Sequence, residues 1–145
     1  MNIKTYEIRS IKSVTPIAQT KITSATDAVD ILRKLYSDSI DVYESFYILL
    51  LNRNNKVLGY KLIGQGGVVG TVADVKLVCK YVVDTLASAV ILAHNHPSGT
   101  LSPSDEDKKI TAKIKQALSY FDTSVLDHII LTDEGYYSFT DNGIL

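Results

Sequence analysis

A single cysteine, Cys79, leaves this chain of 145 residues without an intramolecular disulfide. That excludes the stapled framework of a small secreted domain and is compatible with a reducing cytosol. No stretch approaches the roughly 18 apolar residues of a membrane span. The N-terminal MNIKTYEIRSIKS has no apolar core of signal-peptide length. The two absences predict a soluble, cytoplasmic protein with no membrane partner. An excess of one charge is also lacking: the formal net charge is −1 and the pI about 6.3. Nucleic-acid binding leans on clustered Lys and Arg to neutralise phosphates. The nearest cluster is Lys108, Lys109, Lys113 and Lys115, which share a segment with Asp105, Glu106 and Asp107 and read as a solvated helix face. Nucleic acid is therefore a weakly supported partner. Repeats, low-complexity tracts and linkers are absent. The glycine-rich GQGGVVG (64–70) has neither the Gly-Lys-Ser/Thr of a phosphate loop nor Rossmann spacing.

What is present is an ordinary globular composition, 46% hydrophobic and 21% charged. One domain over residues 1–145 is expected, large enough to bury a core. Ser24-x-x-Asp27 precedes Ala28, Val29, Ile31, Leu32, Leu35 and Tyr36 at helical spacing, which predicts a helix. Ser45 to Leu51 and Val57 to Ile63 predict a hairpin across Asn52 to Lys56, with Glu44 at the entry of its first strand. Gly64, Gly66, Gly67 and Gly70 predict a loop. Asp74 is placed to cap a helix carrying Val75, Val78, Val82, Val83 and Leu86 on one face, with Cys79 packed beside them. A helix from near Ser104 is expected to bury Ile110, Ile114, Ala117, Leu118 and Phe121, followed by strands over Val125 to Thr132 and Tyr136 to Phe139. Residues 1–14 predict a poorly alternating strand. Helices alternating with strands indicate α/β layering.

The most informative run is AVILAHNHPSGTLSPSDEDKKIT. Ala89 to Ala93 is short, apolar and rich in Val, Ile and Leu, as buried strands are. Alternate strand residues share a face, so His94 and His96 project together while Asn95 points away. Pro97 stops the strand. Ser104 is placed as the N-cap of the next helix, with Asp107 in its first turn, able to reach back to the imidazoles. Two neutral imidazoles and one carboxylate suit Zn²⁺, one per chain, with a fourth position left for water. Other divalent metals accept the same ligands. Ser104-x-x-Asp107 also resembles a capping box, and capping and ligation are compatible. Asp127-His128 cannot form an orienting dyad, since adjacent strand residues face opposite ways. Asp127 is instead a candidate acceptor for a ligating imidazole, and His128 either a structural residue or a support behind a metal ligand.

His94-x-His96, seven residues, Ser104, two residues, Asp107 resembles the JAMM motif of the JAB1/MPN+ metalloproteases. That motif also needs an upstream glutamate on a separate strand, and Glu44 fits the place. His94-Asn95-His96-Pro97-Ser98-Gly99, Pro103-Ser104, Asp127-His128-Ile129-Ile130 and Tyr137-Ser138-Phe139 resemble the RadC branch. The resemblance runs from about Asp41 to Leu145. It departs at Leu77-Val78-Cys79-Lys80, where RadC relatives commonly read His-Pro-Arg-Glu, and in having no Gly-rich helix-hairpin-helix before Glu44. A stand-alone RadC-like domain is thus expected.

The resemblance implies a mixed β-sheet flanked by helices, the JAB/MPN architecture, similar to cytidine deaminases. It further implies a zinc-dependent hydrolase acting on an amide or isopeptide bond of a peptide or protein. His94, His96 and Asp107 would hold the metal, Glu44 would serve as general base, and Ser104 would donate to the oxyanion. The alternatives are a DNA-repair-associated binding module or a metal-dependent nuclease.

Overall fold

The computed structural model describes residues 20–36, 39–66 and 73–145. The strand expected in residues 1–14 and the glycines at 67 and 70 lie outside them. In chain order the elements are α1 (Ala25–Tyr36), β1 (Ser45–Leu51), β2 (Val57–Gln65), α2 (Val75–Thr85), β3 (Ala89–Asn95), α3 (Asp105–Ser119), β4 (Ser124–Leu131) and β5 (Tyr136–Ser138). The strands form one sheet in the order β2-β1-β3-β4-β5. β3 and β4 run parallel; the other neighbours are antiparallel. This is a mixed-sheet α/β fold. Among the described residues no helix is long and apolar enough to cross a membrane.

Each helix starts where a short polar side chain takes up free backbone N–H groups. Asp27 accepts from the N–H of Thr23 and of Ser24 at 2.7 and 3.0 Å, Asp74 accepts from Lys76 N–H at 2.8 Å, and Ser104 begins α3. Two cores then form, one on each face of the sheet. On one face α1 packs Ala28, Val29, Leu32 and Tyr36 against Leu49, Leu51, Ala89, Ile91, Ile129 and Leu131. On the other, Val78 and Val82 of α2 and Ile114 and Leu118 of α3 cover Phe46, Ile48, Leu50, Val90 and Leu92. Every residue of the central strand β3 is consequently buried, which explains its unbroken apolar run.

Three expectations need correction. Gly64 belongs to β2 and not to a loop, because β2 continues to Gln65 in register with Ser45. Val83 and Leu86 are 47% and 83% exposed, since the face of α2 that packs on the core carries Val78 and Val82, with Val75, Cys79 and Tyr81 at its margins. Phe121 is half exposed, because α3 ends at Ser119 and the following turn carries it off the buried face.

A register shift between Val90 and Ile91 in the β3–β4 ladder pairs Val90 with Val125 but Ile91 with Asp127. One extra residue, Leu126, therefore sits in β4, and the alternation inverts beyond it. Val125 lies in the α2/α3 core, whereas Ile129 and Leu131 lie in the α1 core. This inversion turns His128 towards α3, on the same face as His94.

Candidate metal centre

The site is assembled at the C-terminal end of β3. Strand alternation sends His94 to the α3 face, and His94 is buried with 1% exposure. Asn95 goes to the opposite face. His96 follows directly after the strand and is half-buried. Its backbone N–H donates to Leu131 O at 2.9 Å, so the ladder holds the chain one residue beyond β3. The turn after Pro97 uses Gly99 at φ 81°, a left-handed conformation that side chains disfavour. It brings the Thr100 carbonyl to 2.7 Å from His96 Nδ1.

Asp107 approaches from the first turn of α3. Its Oδ1 lies 3.2 Å from His94 Nε2 and its Oδ2 3.4 Å from His96 Nε2. The same Oδ2 accepts the Ser104 N–H at 2.7 Å, while Ser104 Oγ accepts the Asp107 N–H at 3.1 Å. The capping box is thus complete, and Asp107 serves it while facing both imidazoles. Ser104 Oγ is only an acceptor in that pair and keeps its own proton to donate.

Glu44 arrives from the start of β1, which pairs with β3 through Phe46 and His94. Donor atoms of Glu44, His94 and His96 all lie within 4.8 Å of one another. The two imidazole Nε2 atoms are 2.8 Å apart. The structure therefore brings Glu44, His94, His96, Ser104 and Asp107 together, although Glu44 is fifty positions from His94 in the chain. All of them but the buried His94 line a cavity of about 900 Å³, together with Asp41, Val42, Pro97, Ser98, Thr100, Ser102, Pro103 and Glu106.

The donor set fits a divalent cation. A carbonyl only accepts, so His96 Nδ1 carries the proton that reaches Thr100 O, and neutral His96 presents a bare lone pair at Nε2. Both oxygens of Asp107 face the imidazole Nε2 atoms and also offer lone pairs. Acceptors this close repel unless a proton or a metal ion lies among them. The charges respond accordingly. Burial alone would raise Asp107, but its contacts with the His94 and His96 imidazoles, which favour the carboxylate whenever a proton sits between them, the charge that a protonated His94 brings, and the Ser104 N–H drive it far below the usual carboxylate range. Burial would lower His96, yet bonding to Asp107 and to the Thr100 carbonyl leaves it above the ordinary imidazole value.

Sequence reasoning missed the supporting roles of two residues, Asn95 and Tyr36. Asn95 is fully buried, and its Oδ1 accepts the Ser45 N–H at 2.7 Å while its Nδ2 donates to the carbonyls of Ile40 and Tyr43, each at 2.7 Å. Glu44 is held between those anchors. The hydroxyl of Tyr36 donates to Ser45 O at 2.8 Å and reaches Ala93 O at 3.2 Å, spanning β1 and β3 beside Glu44 and His94. His128, expected as a structural residue or a support behind a ligand, is the latter. Its Nε2 is 2.8 Å from His94 Nδ1, and burial holds its pKa well below the ordinary value.

Asp127, expected to serve a ligating imidazole, faces away from the site. Its carboxylate takes the Ser138 hydroxyl at 2.6 Å, the Thr140 N–H at 3.0 Å and the His128 N–H at 2.7 Å. The inverted alternation after Leu126 gives the contact with His94 to His128 instead. The pattern Tyr137-Ser138-Phe139 is explained in the same way: Ser138 binds Asp127, and Phe139 stacks on His128 at 4.7 Å.

A mixed sheet between helices, with imidazoles and carboxylates converging at the end of its central strand, defines an α/β domain built around a candidate metal site. The chain belongs to the RadC-like JAB domain family, whose model matches residues 22–144. It is 46% identical over 124 residues to a UPF0758 protein of Flavobacterium johnsoniae, a match covering 86% of this chain and 53% of that protein. A UPF0758 protein of Porphyromonas gingivalis is 44% identical over 103 residues, covering 70% of this chain and 45% of the relative. The UPF0758 protein YfjY of Escherichia coli K12 is 40% identical over 102 residues, covering 70% and 64%. The chain spans about half the length of the first two of these curated relatives.

Proposed function

We propose that this domain is a zinc-dependent hydrolase of the JAMM type that cleaves an amide or isopeptide bond in a peptide or protein. The observation that carries the reading is the convergence of His94 Nε2, His96 Nε2 and the Asp107 carboxylate, with Glu44 beside them and Ser104 on the same cavity wall. His94, His96 and Asp107 would hold one Zn²⁺, and Glu44, close enough to reach the same ion, is assigned as the base. Bound zinc would supply a water acid enough to deprotonate near neutral pH.

The chain's own residues provide the rest. The Glu44 carboxylate accepts a proton from the attacking water and returns it to the departing amine, so one water is consumed and an acid and an amine are released. Ser104 Oγ–H donates to the carbonyl oxygen as charge develops there. Asp41, Glu44, Glu106 and Asp107 line the cavity, and among its described lining residues none is Lys or Arg. Such a wall suits a polypeptide better than a polyanion, which favours proteolysis over the nuclease and DNA-binding alternatives.

The test is turnover of a library of peptides and isopeptide-linked peptides by zinc-loaded protein, with Glu44→Gln as control and duplex DNA as competitor. Cleavage by the wild type, lost in Glu44→Gln at equal metal content, supports the reading. Cleavage of DNA, or sub-micromolar DNA binding at physiological salt with no peptide turnover, overturns it.

A further inference from the structure

A chain of three hydrogen bonds links one candidate ligand to the backbone of another, and its proton positions follow from its far end. Thr111 Oγ1 lies 2.5 Å from Asp107 O, one helical turn back in α3. A carbonyl oxygen only accepts, so the single hydroxyl proton of Thr111 is committed to Asp107. Thr111 Oγ1 is also 2.5 Å from His128 Nδ1 and must accept there, which places a proton on His128 Nδ1. His128 is fully buried between Phe46, edge-on at 5.5 Å, and Phe139, stacked at 4.7 Å. With no carboxylate among its hydrogen-bond partners it is neutral, and its Nε2 is a lone pair. His94 Nδ1, 2.8 Å away, must therefore be the donor. That leaves His94 Nε2 bare and aimed at Asp107 and His96.

We infer that Thr111 and His128 are positioning residues that lock His94 in its Nδ1–H tautomer, presenting Nε2 to a metal ion. Asp107 thus contributes twice, through its carboxylate at the site and through its carbonyl at the origin of the relay. The helix that supplies one ligand dictates the protonation of another on a different element. On the other imidazole, His96, the Thr100 carbonyl performs the same task directly. The relay is a property of the metal-free protein, so it stands or falls separately from the hydrolysis proposed above.

The experiment is long-range ¹H–¹⁵N NMR of the histidine side chains in metal-free protein, followed by zinc affinity of Thr111→Val and Thr111→Ser measured against a competing chelator. The expected spectrum shows a proton on Nδ1 of His94, His96 and His128 alike, whatever proton the Nε2 atoms of His94 and His96 share with Asp107 in the absence of metal. Thr111→Val, near-isosteric but unable to accept from His128, should give a mixture of His94 tautomers and weaken zinc about 10- to 100-fold, the usual scale for such supporting partners. Thr111→Ser keeps the hydroxyl and should restore both readouts. A wild-type His94 in the Nε2–H form overturns the inference without any variant. So does a folded Thr111→Val protein with unchanged tautomer and unchanged affinity.

Discussion

The side-chain oxygen of Asn95 accepts the backbone N–H of Ser45 at 2.7 Å, so the strand that carries His94 also fixes the start of the strand that follows Glu44. Metal-facing and base-bearing segments are coupled through one buried amide. Its two N–H groups, bound to Ile40 and Tyr43, hold the approach to Glu44 from the other side.

Asn95→Ala should therefore leave three backbone groups without their partner at once, the Ser45 N–H buried and the Ile40 and Tyr43 carbonyls partly so. A buried group costs about 1–3 kcal/mol when left unpaired and a water-accessible one less, so a loss of about 2 kcal/mol is expected in urea denaturation. Metal content should persist, because no ligand is touched, while any hydrolysis falls as Glu44 drifts. A variant as stable as the wild type would mean that water replaces the amide without penalty.

Tyr36 supplies a pH signature. Burial, with help from the nearby Tyr47 and Glu44, holds its phenol well above the ordinary value. The unfolded chain releases that proton near pH 10, whereas the folded chain keeps it. The contribution to stability is complete below about pH 10 and is lost as the pH rises towards the folded value. Tyr36→Phe should cost about 1 kcal/mol at neutral pH through the lost hydrogen bond. It should also flatten the alkaline decline. Denaturation midpoints at pH 8 and pH 11 for both proteins decide it; parallel declines would remove Tyr36 as their source.

Ser104 combines a helix cap with a proposed oxyanion donor, and substitution can separate the two. Ser104→Ala should lower stability by about 1 kcal/mol through the lost cap. Ser104→Asp caps well but has no proton to give, so it should recover the melting temperature and not the turnover. Recovery of turnover by Ser104→Asp would reduce Ser104 to a structural role.

Local patterns made much of this molecule legible beforehand. The alternation of His94 and His96 at a strand end, and the Ser104-x-x-Asp107 spacing at a helix start, are short-range features, and the structure places those residues within hydrogen-bond distance of one another. The hairpin was readable for the same reason, since Asn52 to Lys56 carry turn chemistry between two strand-forming runs. What local patterns could not reveal depends on distant partners. The bulge at Leu126 leaves no mark in composition, yet it decides that His128 rather than Asp127 meets His94. The role of Asn95 needed the position of residues 40–45, and that of Tyr36 needed α1 docked across two strands. Leu86 and Phe121 have the apolar character of core residues but lie just past helix ends, where a short shift in the terminus moves a side chain outside.

Zinc content by elemental analysis of wild type, Glu44→Gln, Asp107→Ala and His96→Ala, each dialysed against the same buffer, tests the central claim most directly. The wild type and Glu44→Gln should hold about one Zn²⁺ per chain, and His96→Ala and Asp107→Ala should hold far less. Glu44→Gln losing metal while Asp107→Ala keeps it would show that base and ligand are exchanged. Equal zinc in the wild type and in His96→Ala would contradict the site itself.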